Sequence, residues 1–154
     1  SFYCRKCRID FDLPTATVVD VFAYSMSKEA LNEALQYLGV NALTEILTAG
    51  GFAVKSPGVL TGPTKEVAFS LLGQKDTRIV AIDLFQNYPE VDVEPVLTLY
   101  VKMLETNPTV AVFAAIPRLS RRARDVASLH NILVAEGESA VEVGQKVLEI
   151  AQRM

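Results

Sequence analysis

The sequence predicts one α/β domain with a mixed sheet, preceded by a small strand-rich appendage. Three observations indicate this class: a length of 154 residues, a hydrophobic content of 50%, and short β-branched runs that alternate with helical apolar stripes. We expect residues 1–24 to form the β appendage, which carries a CxxC motif, and residues 25–154 to form the α/β domain.

The elements of the domain can be placed in order. A helical stripe follows a capping serine at Ser27, and whether Gly39 breaks this helix is open at this point. The region 56–66 is rich in Pro and Gly and is expected to be a connection made of turns. The remaining elements are strands at 52–54, 67–72 and 79–85, a helix at 96–104, a strand at 110–116, a helix at 120–129, a strand at 132–135 and a helix at 139–150. The run 110–116 is continuously apolar, so we expect it to be the central strand.

The net charge and the cysteine content exclude some kinds of protein and indicate a cellular location. Fifteen basic and 18 acidic residues give a net charge of −3, which excludes a basic nucleic-acid-binding tail. The sequence shows no apolar run of roughly 18 residues and no signal-peptide pattern, so we expect no membrane segment. Two cysteines without a disulfide framework favour a reducing, cytoplasmic location.

Four segments follow one another in a recognisable order. They are LTEILTAGGFAV at 43–54, GPTKEVAFSLLG at 62–73, TRIVAIDLF at 77–85 and AAIPRLSRRARDVASLHNILVAEGES at 114–139. Together they resemble the restriction-endonuclease-like (PD-(D/E)xK) superfamily, in its Mrr-like and archaeal-resolvase-like branch. The resemblance implies an αβββαβ core with a mixed sheet, extended here by a C-terminal strand and helix.

The resemblance also implies an active site in which acidic side chains hold a divalent metal and a lysine positions the water. Ser70 stands at the first acidic position, Asp83 at the second, and Phe85 at the position of the lysine. Glu45 matches the helical carboxylate, although an exposed helix face explains it equally well. We therefore expect a degenerate site that binds Mg²⁺ weakly and supports no useful nuclease activity.

Cys4 and Cys7 form a CxxC motif with three interpretations: half of a zinc knuckle, two plain thiols, or a redox pair. A complete zinc site would need His130 and a carboxylate, or a second chain that shares the ion. His130 lies near no recognisable nucleophile, so we expect a surface or helix-end histidine rather than a catalytic one.

Four arginines surround the start of the helix capped by Ser120: Arg118, Arg121, Arg122 and Arg124. Cations in a first helical turn oppose the helix dipole, so we expect a compensating anion. A phosphate, an acidic partner, a solvated surface or the chain's own carboxylates would each serve. The candidate carboxylates of the chain itself are Glu90, Asp92 and Glu94, which would also repel DNA.

Three hypotheses for function follow. The first is a non-catalytic restriction-endonuclease-like domain that acts as an interaction or nucleic-acid-associated module, with DNA or an acidic protein as its partner. The second is an active metal-dependent DNA nuclease with relocated carboxylates, drawn from Glu45, Glu66 and Asp83. The third is a structural homo-oligomer.

Overall fold

A computed structural model describes residues 2–4, 9–11 and 28–153 of the chain. The chain divides into two units, residues 1–35 and 36–154. In the first unit, strands β1 (Phe2–Cys4) and β2 (Ile9–Phe11) pair antiparallel. The predicted β-branched run at 17–22 and the Ser27 cap lie outside the described residues.

The elements that follow keep the predicted order of helices, with five strands where three were predicted after the first helix. In chain order they are α1 (Lys28–Ala49), β3 (Ala53–Lys55), β4 (Gly58–Thr61), β5 (Glu66–Phe69), β6 (Leu71–Lys75), β7 (Arg78–Gln86), α2 (Val93–Thr106), β8 (Val110–Ile116), α3 (Arg121–Leu129), β9 (Leu133–Glu136) and α4 (Ala140–Gln152). Within the described ranges, no helix is long and apolar enough to cross a membrane.

A five-stranded mixed sheet forms the centre of the second unit, in the order β3-β6-β7-β8-β9. Strands β3, β6 and β7 are joined by antiparallel pairs, whereas β7, β8 and β9 run parallel. The middle strand is therefore β7, so the expectation that 110–116 is central was wrong. Strand β8 is continuously apolar because both of its faces are buried. A strand next to the middle strand can be covered on both faces, just as the middle strand is.

Two apolar layers cover the sheet, one on each face. Leu43 and Leu47 of α1 pack with Val143 and Val147 of α4 on one side. Helices α2 and α3 pack on the other side, together with strand β5. The unit is therefore a three-layer α/β/α arrangement around the sheet.

Helix α1 passes through Gly39 without a break and ends at Ala49, two residues before Gly51. A Cβ on Gly39 would lie 2.8 Å from Cδ2 of Leu84 in β7, so the glycine allows this helix to approach the sheet closely. Gly51 adopts a φ of 95°, and Phe52 N donates to Leu47 O at 3.1 Å to close the helix.

The segment 56–66 contains a strand that the sequence analysis did not predict. Strand β4 pairs antiparallel with β5, and the two form a separate hairpin. The predicted single strand 67–72 is divided at Ser70, where the chain bends between β5 and β6. The bend places Ser70 next to β7, where the candidate site lies.

Candidate functional site

The candidate site lies near the C-terminal end of β7, beside the first residue of β6. Asp83 is 9% exposed and lies on the sheet face that α2 and α3 cover. Its neighbour in β8 is Phe113, which is buried in the same layer. A carboxylate in this apolar setting requires polar partners, since a buried charge without them is costly.

Ser70 holds one side of the Asp83 carboxylate. The backbone N–H of Ser70 donates to Oδ1 of Asp83 at 3.0 Å, and the hydroxyl of Ser70 accepts from the backbone N–H of Leu84 at 3.1 Å. The two residues therefore fix the bend between β5 and β6 against β7. The structure therefore brings Ser70 and Asp83 into direct contact.

Lys102 of α2 holds the other side of the carboxylate. Its Nζ donates to Oδ2 of Asp83 at 2.9 Å, and the two side chains are 25% and 12% exposed respectively. The ammonium also lies 5.4 Å from the centre of the Phe69 ring, within the range of a cation–π contact. Both carboxylate oxygens of Asp83 are therefore engaged by the protein.

Gln36 of α1 donates a hydrogen bond to the backbone of the residue that follows Asp83. Its Nε2 donates to the carbonyl oxygen of Leu84 at 2.6 Å. The helix thus contributes a neutral amide to the end of β7. This contact and the Lys102 pair were both missed in the sequence analysis.

A signal for both residues is present in the helical periodicity. Lys102 follows buried Leu99 by three residues, and Gln36 precedes buried Leu43 by seven residues, so both lie on the inward stripes of their helices. A polar side chain on an inward stripe needs a buried partner. Asp83 is the acidic residue within the apolar part of β7, and this position marks it as a partner for Lys102.

The other candidate residues, Phe85, Glu45 and Glu66, make none of these contacts. Phe85 is 44% exposed, and neither Glu45 nor Glu66 is buried or forms an ion pair among the described residues. Among those residues, no three His, Cys, Asp or Glu side chains are grouped closely enough to hold a metal ion. Because Asp83 is already paired with Lys102, these side chains do not fit a divalent metal site.

One arginine of the cluster, Arg124, pairs with a carboxylate of the chain itself, which is Glu136. Nη2 of Arg124 lies 2.9 Å from Oε2 of Glu136 in β9, and the same Glu136 oxygen accepts the backbone N–H of Leu119 at 2.8 Å. The hydrogen bond and the charge of Glu136 raise the pKa of Arg124 above its ordinary value. None of the predicted carboxylates, Glu90, Asp92 and Glu94, forms an ion pair with these arginines.

The remaining three arginines are exposed at the start of α3. Within the described part of the chain, Arg118, Arg121 and Arg122 form no ion pair. Ser120 caps the helix by accepting the N–H of Ala123 at 3.1 Å, and its hydroxyl lies 3.4 Å from Oδ1 of Asp92, the cap of α2. Two helix N-termini therefore meet beside these three exposed guanidinium groups.

The two other predicted sites have different outcomes. His130 caps the C-terminus of α3 and stacks on Tyr100, with ring centres 3.8 Å apart. This confirms the expected helix-end position. Cys4 ends β1, but Cys7 lies outside the described residues, so the CxxC motif stays a prediction.

No protein-family model and no curated protein matches the chain, whereas solved structures do. One is AF1548, a protein of unknown function, at a TM-score of 0.60 and 16% identity over 73% of this chain. Another is Can2 from Sulfobacillus thermosulfidooxidans, solved with cyclic tetra-adenylate, at a TM-score of 0.60 and 11% identity over 94% of this chain. The chain has the restriction-endonuclease-like fold.

The restriction-endonuclease-like fold of this chain corresponds to part of each neighbour. The chain spans 66% of AF1548, 45% of Can2 and 37% of VC1899 from Vibrio cholerae, which matches at a TM-score of 0.59 and 10% identity. At these identities the likeness concerns the fold. The function must therefore be argued from the chain's own side chains.

Proposed function

We propose that this chain is a non-catalytic restriction-endonuclease-like domain that binds nucleic acid. The observation that carries the first half of the proposal is the contact between Lys102 and Asp83. The Lys102 ammonium binds the Asp83 carboxylate at the position where the superfamily resemblance implies a metal ion. The assignment to the Mrr-like branch is part of this proposal and rests on the sequence segments alone.

The absence of catalysis follows from the charges at the site. Ser70 supplies a neutral hydroxyl in place of a carboxylate, and Phe85 supplies no proton or charge. Each catalytic group of this type typically contributes about 10²-fold or more to the rate. Loss of two such groups, together with the pairing of Asp83 to Lys102, removes the means of activating a water.

The second half of the proposal rests on the exposed cations at the carboxyl end of the sheet. Arg118, Arg121 and Arg122 are exposed and form no ion pair with described residues, so they are free to contact phosphates. The nearby acids limit the net positive charge. We therefore expect a binding affinity that depends on a few phosphates and falls with salt.

Two assays test the proposal. With Mg²⁺ or Mn²⁺, we expect no cleavage of single-stranded, duplex or branched DNA, and cleavage that disappears in Asp83→Ala or Lys102→Ala would overturn the non-catalytic assignment. In a binding titration at low salt, the triple variant Arg118→Ser, Arg121→Ser, Arg122→Ser should bind more weakly than the parent. Arg153→Ser, a cation at the end of α4, serves as the matched control.

A structural homo-oligomer is the second candidate, favoured by one surface. Leu97, Val101 and Leu104 lie at helical spacing on α2 and are 41%, 54% and 67% exposed. Burial of this stripe between two copies would stabilise a dimer through the hydrophobic effect. Light scattering over a range of protein concentrations tests this candidate, since a concentration-independent monomer excludes it.

A further inference from the structure

Two exposed aromatic side chains lie at the end of β7, beside the degenerate site. Phe85 is 44% exposed and Tyr88 is 59% exposed. Within the described residues, neither ring is stacked on another aromatic side chain or paired with a cation. Phe85 is two residues beyond Asp83, so it lies on the same sheet face as α2 and α3.

The backbone pairing places the segment that follows β7 alongside the segment that follows β8. Strands β7 and β8 are parallel with Gln86 opposite Ile116, and the pairing continues as Asn87 N donates to Ile116 O at 3.0 Å. Farther on, the N–H of Val91 donates to the carbonyl of Arg118 at 2.8 Å. The segments that carry Tyr88 and Arg118 therefore lie side by side at the carboxyl end of the parallel strands β7 and β8.

We infer that Phe85 and Tyr88 form a stacking platform for the unpaired bases of a single-stranded nucleic acid. Arg118, Arg121 and Arg122 contact the phosphates of the same strand. The inference rests on the proposed nucleic-acid binding and specifies its ligand. Exposed aromatic rings beside cations are the combination that binds single strands with little sequence preference.

The charge distribution favours a single strand over a duplex. Glu90 and Glu94 are exposed close to the arginines and repel phosphates. A duplex carries one charge per roughly 1.7 Å of its axis, about twice the density of one of its strands, so it meets more of this repulsion. A duplex also keeps its bases stacked internally, where Phe85 and Tyr88 cannot reach their faces.

Fluorescence anisotropy with three labelled probes tests the platform: a short oligothymidylate, the same strand with abasic sites, and a duplex of equal length. The parent should bind the oligothymidylate more tightly than the other two probes. Phe85→Ala and Tyr88→Ala should each weaken binding of the oligothymidylate by about fivefold or more, which is the lower limit for loss of one stacked base. In the double variant, the preference over the abasic strand should disappear.

Matched variants keep the test specific to stacking. Tyr88→Phe retains the ring and should retain affinity for the oligothymidylate. The chain has no Trp and five Tyr, so quenching of tyrosine fluorescence by the bound strand should decrease in this variant. Leu129→Ala removes an apolar side chain that is even more exposed, at 76%, at the far end of α3, and should leave affinity unchanged. Thermal melts establish that each variant is folded.

The outcomes separate this inference from the proposed function. Equal affinity for the oligothymidylate, the abasic strand and the duplex, with no effect of Phe85→Ala or Tyr88→Ala, would overturn the platform and leave nucleic-acid binding intact. Failure of the parent to bind any of the three probes at low salt would overturn both.

Discussion

The Nζ atom of Lys102 lies 2.9 Å from Oδ2 of Asp83, and the contact joins α2 to the middle strand of the sheet. The pair is partly buried, and the second carboxylate oxygen is held by the backbone of Ser70. A position that the resemblance associates with a metal is thus used for structure. Lys102 and Ser70 together supply the polar partners that the Asp83 carboxylate requires in this apolar setting.

Removal of the ammonium should destabilise the fold. Lys102→Met retains most of the side-chain stem but leaves Asp83 with one partner, so we expect the free energy of unfolding to decrease by about 1–3 kcal/mol. Urea denaturation measures this change. Lys65→Met, an exposed lysine in the loop before β5, should change it by about 0.5 kcal/mol or less.

A double variant provides the control for this prediction. Asp83→Asn with Lys102→Met removes both charges while the new amide oxygen can still accept from Ser70 N. The double variant should therefore lose less stability than the sum of the two single variants. Strict additivity would show that the two side chains are not coupled.

The ion pair between Arg124 and Glu136 should contribute less. Its side chains are 53% and 25% exposed, so a double-mutant cycle with Arg124→Ala and Glu136→Gln should give a coupling energy of about 0.2–1 kcal/mol. The folded-state pKa of Arg124 is raised, so its contribution is complete below the unfolded value and is lost only at strongly alkaline pH. Arg124→Ala should therefore produce the same loss of stability at pH 6 as at pH 8.

Two glycines in neighbouring strands should differ in their tolerance of a methyl group. A Cβ on Gly58 of β4 would lie 2.7 Å from the backbone nitrogen of Leu72, whereas a Cβ on Gly73 of β6 would lie no closer than 3.6 Å to Phe52. We expect Gly58→Ala to lower stability by about 1–3 kcal/mol and Gly73→Ala to be tolerated. Similar melting temperatures for the two variants would contradict the packing of β4 on β6.

The sequence predicted the order of elements well because their local signals are strong. Ser120 and Ser139 cap α3 and α4 as expected, each accepting an N–H three residues later. Strand β4 was missed because prolines and glycines surround its two apolar residues and indicate turns. The hairpin forms because β5 supplies the hydrogen bonds, a non-local partner that composition does not reveal.

The sequence analysis predicted Ser70 and Asp83 as site residues, but it did not predict the helix residues that contact them. The structure joins Ser70 and Asp83 directly. Lys102 and Gln36 come from two helices, and their approach to β7 depends on how those helices pack. Likewise, Glu136 at the end of β9 pairs with Arg124 of α3, whereas the sequence analysis named only the acids at 90–94 as internal partners of the arginines.

The CxxC motif should not hold a zinc ion tightly within one chain. Cys4 and Cys7 supply two thiolates, and a structural zinc site needs four ligands. We expect elemental analysis of dilute protein to give no zinc, or at most one zinc per two chains if copies share it. One tightly held ion per monomer, lost in Cys4→Ser, would contradict this prediction.

The first turn of α3 should be stabilised by loss of its cations. Arg121 and Arg122 oppose the helix dipole, form no ion pair among the described residues, and have no acidic residue beside them in that turn. Arg121→Gln with Arg122→Gln should therefore leave the melting temperature unchanged or slightly higher, by a few tenths of a kcal/mol per residue in stability. The same variant should bind oligothymidylate more weakly, and the slope of log affinity against log salt should become shallower by about 0.7 for each phosphate that the variant no longer binds. Stability and binding then move in opposite directions, as expected for side chains held in place for a ligand. A lower melting temperature combined with an unchanged salt slope would instead show that the two arginines stabilise the fold itself.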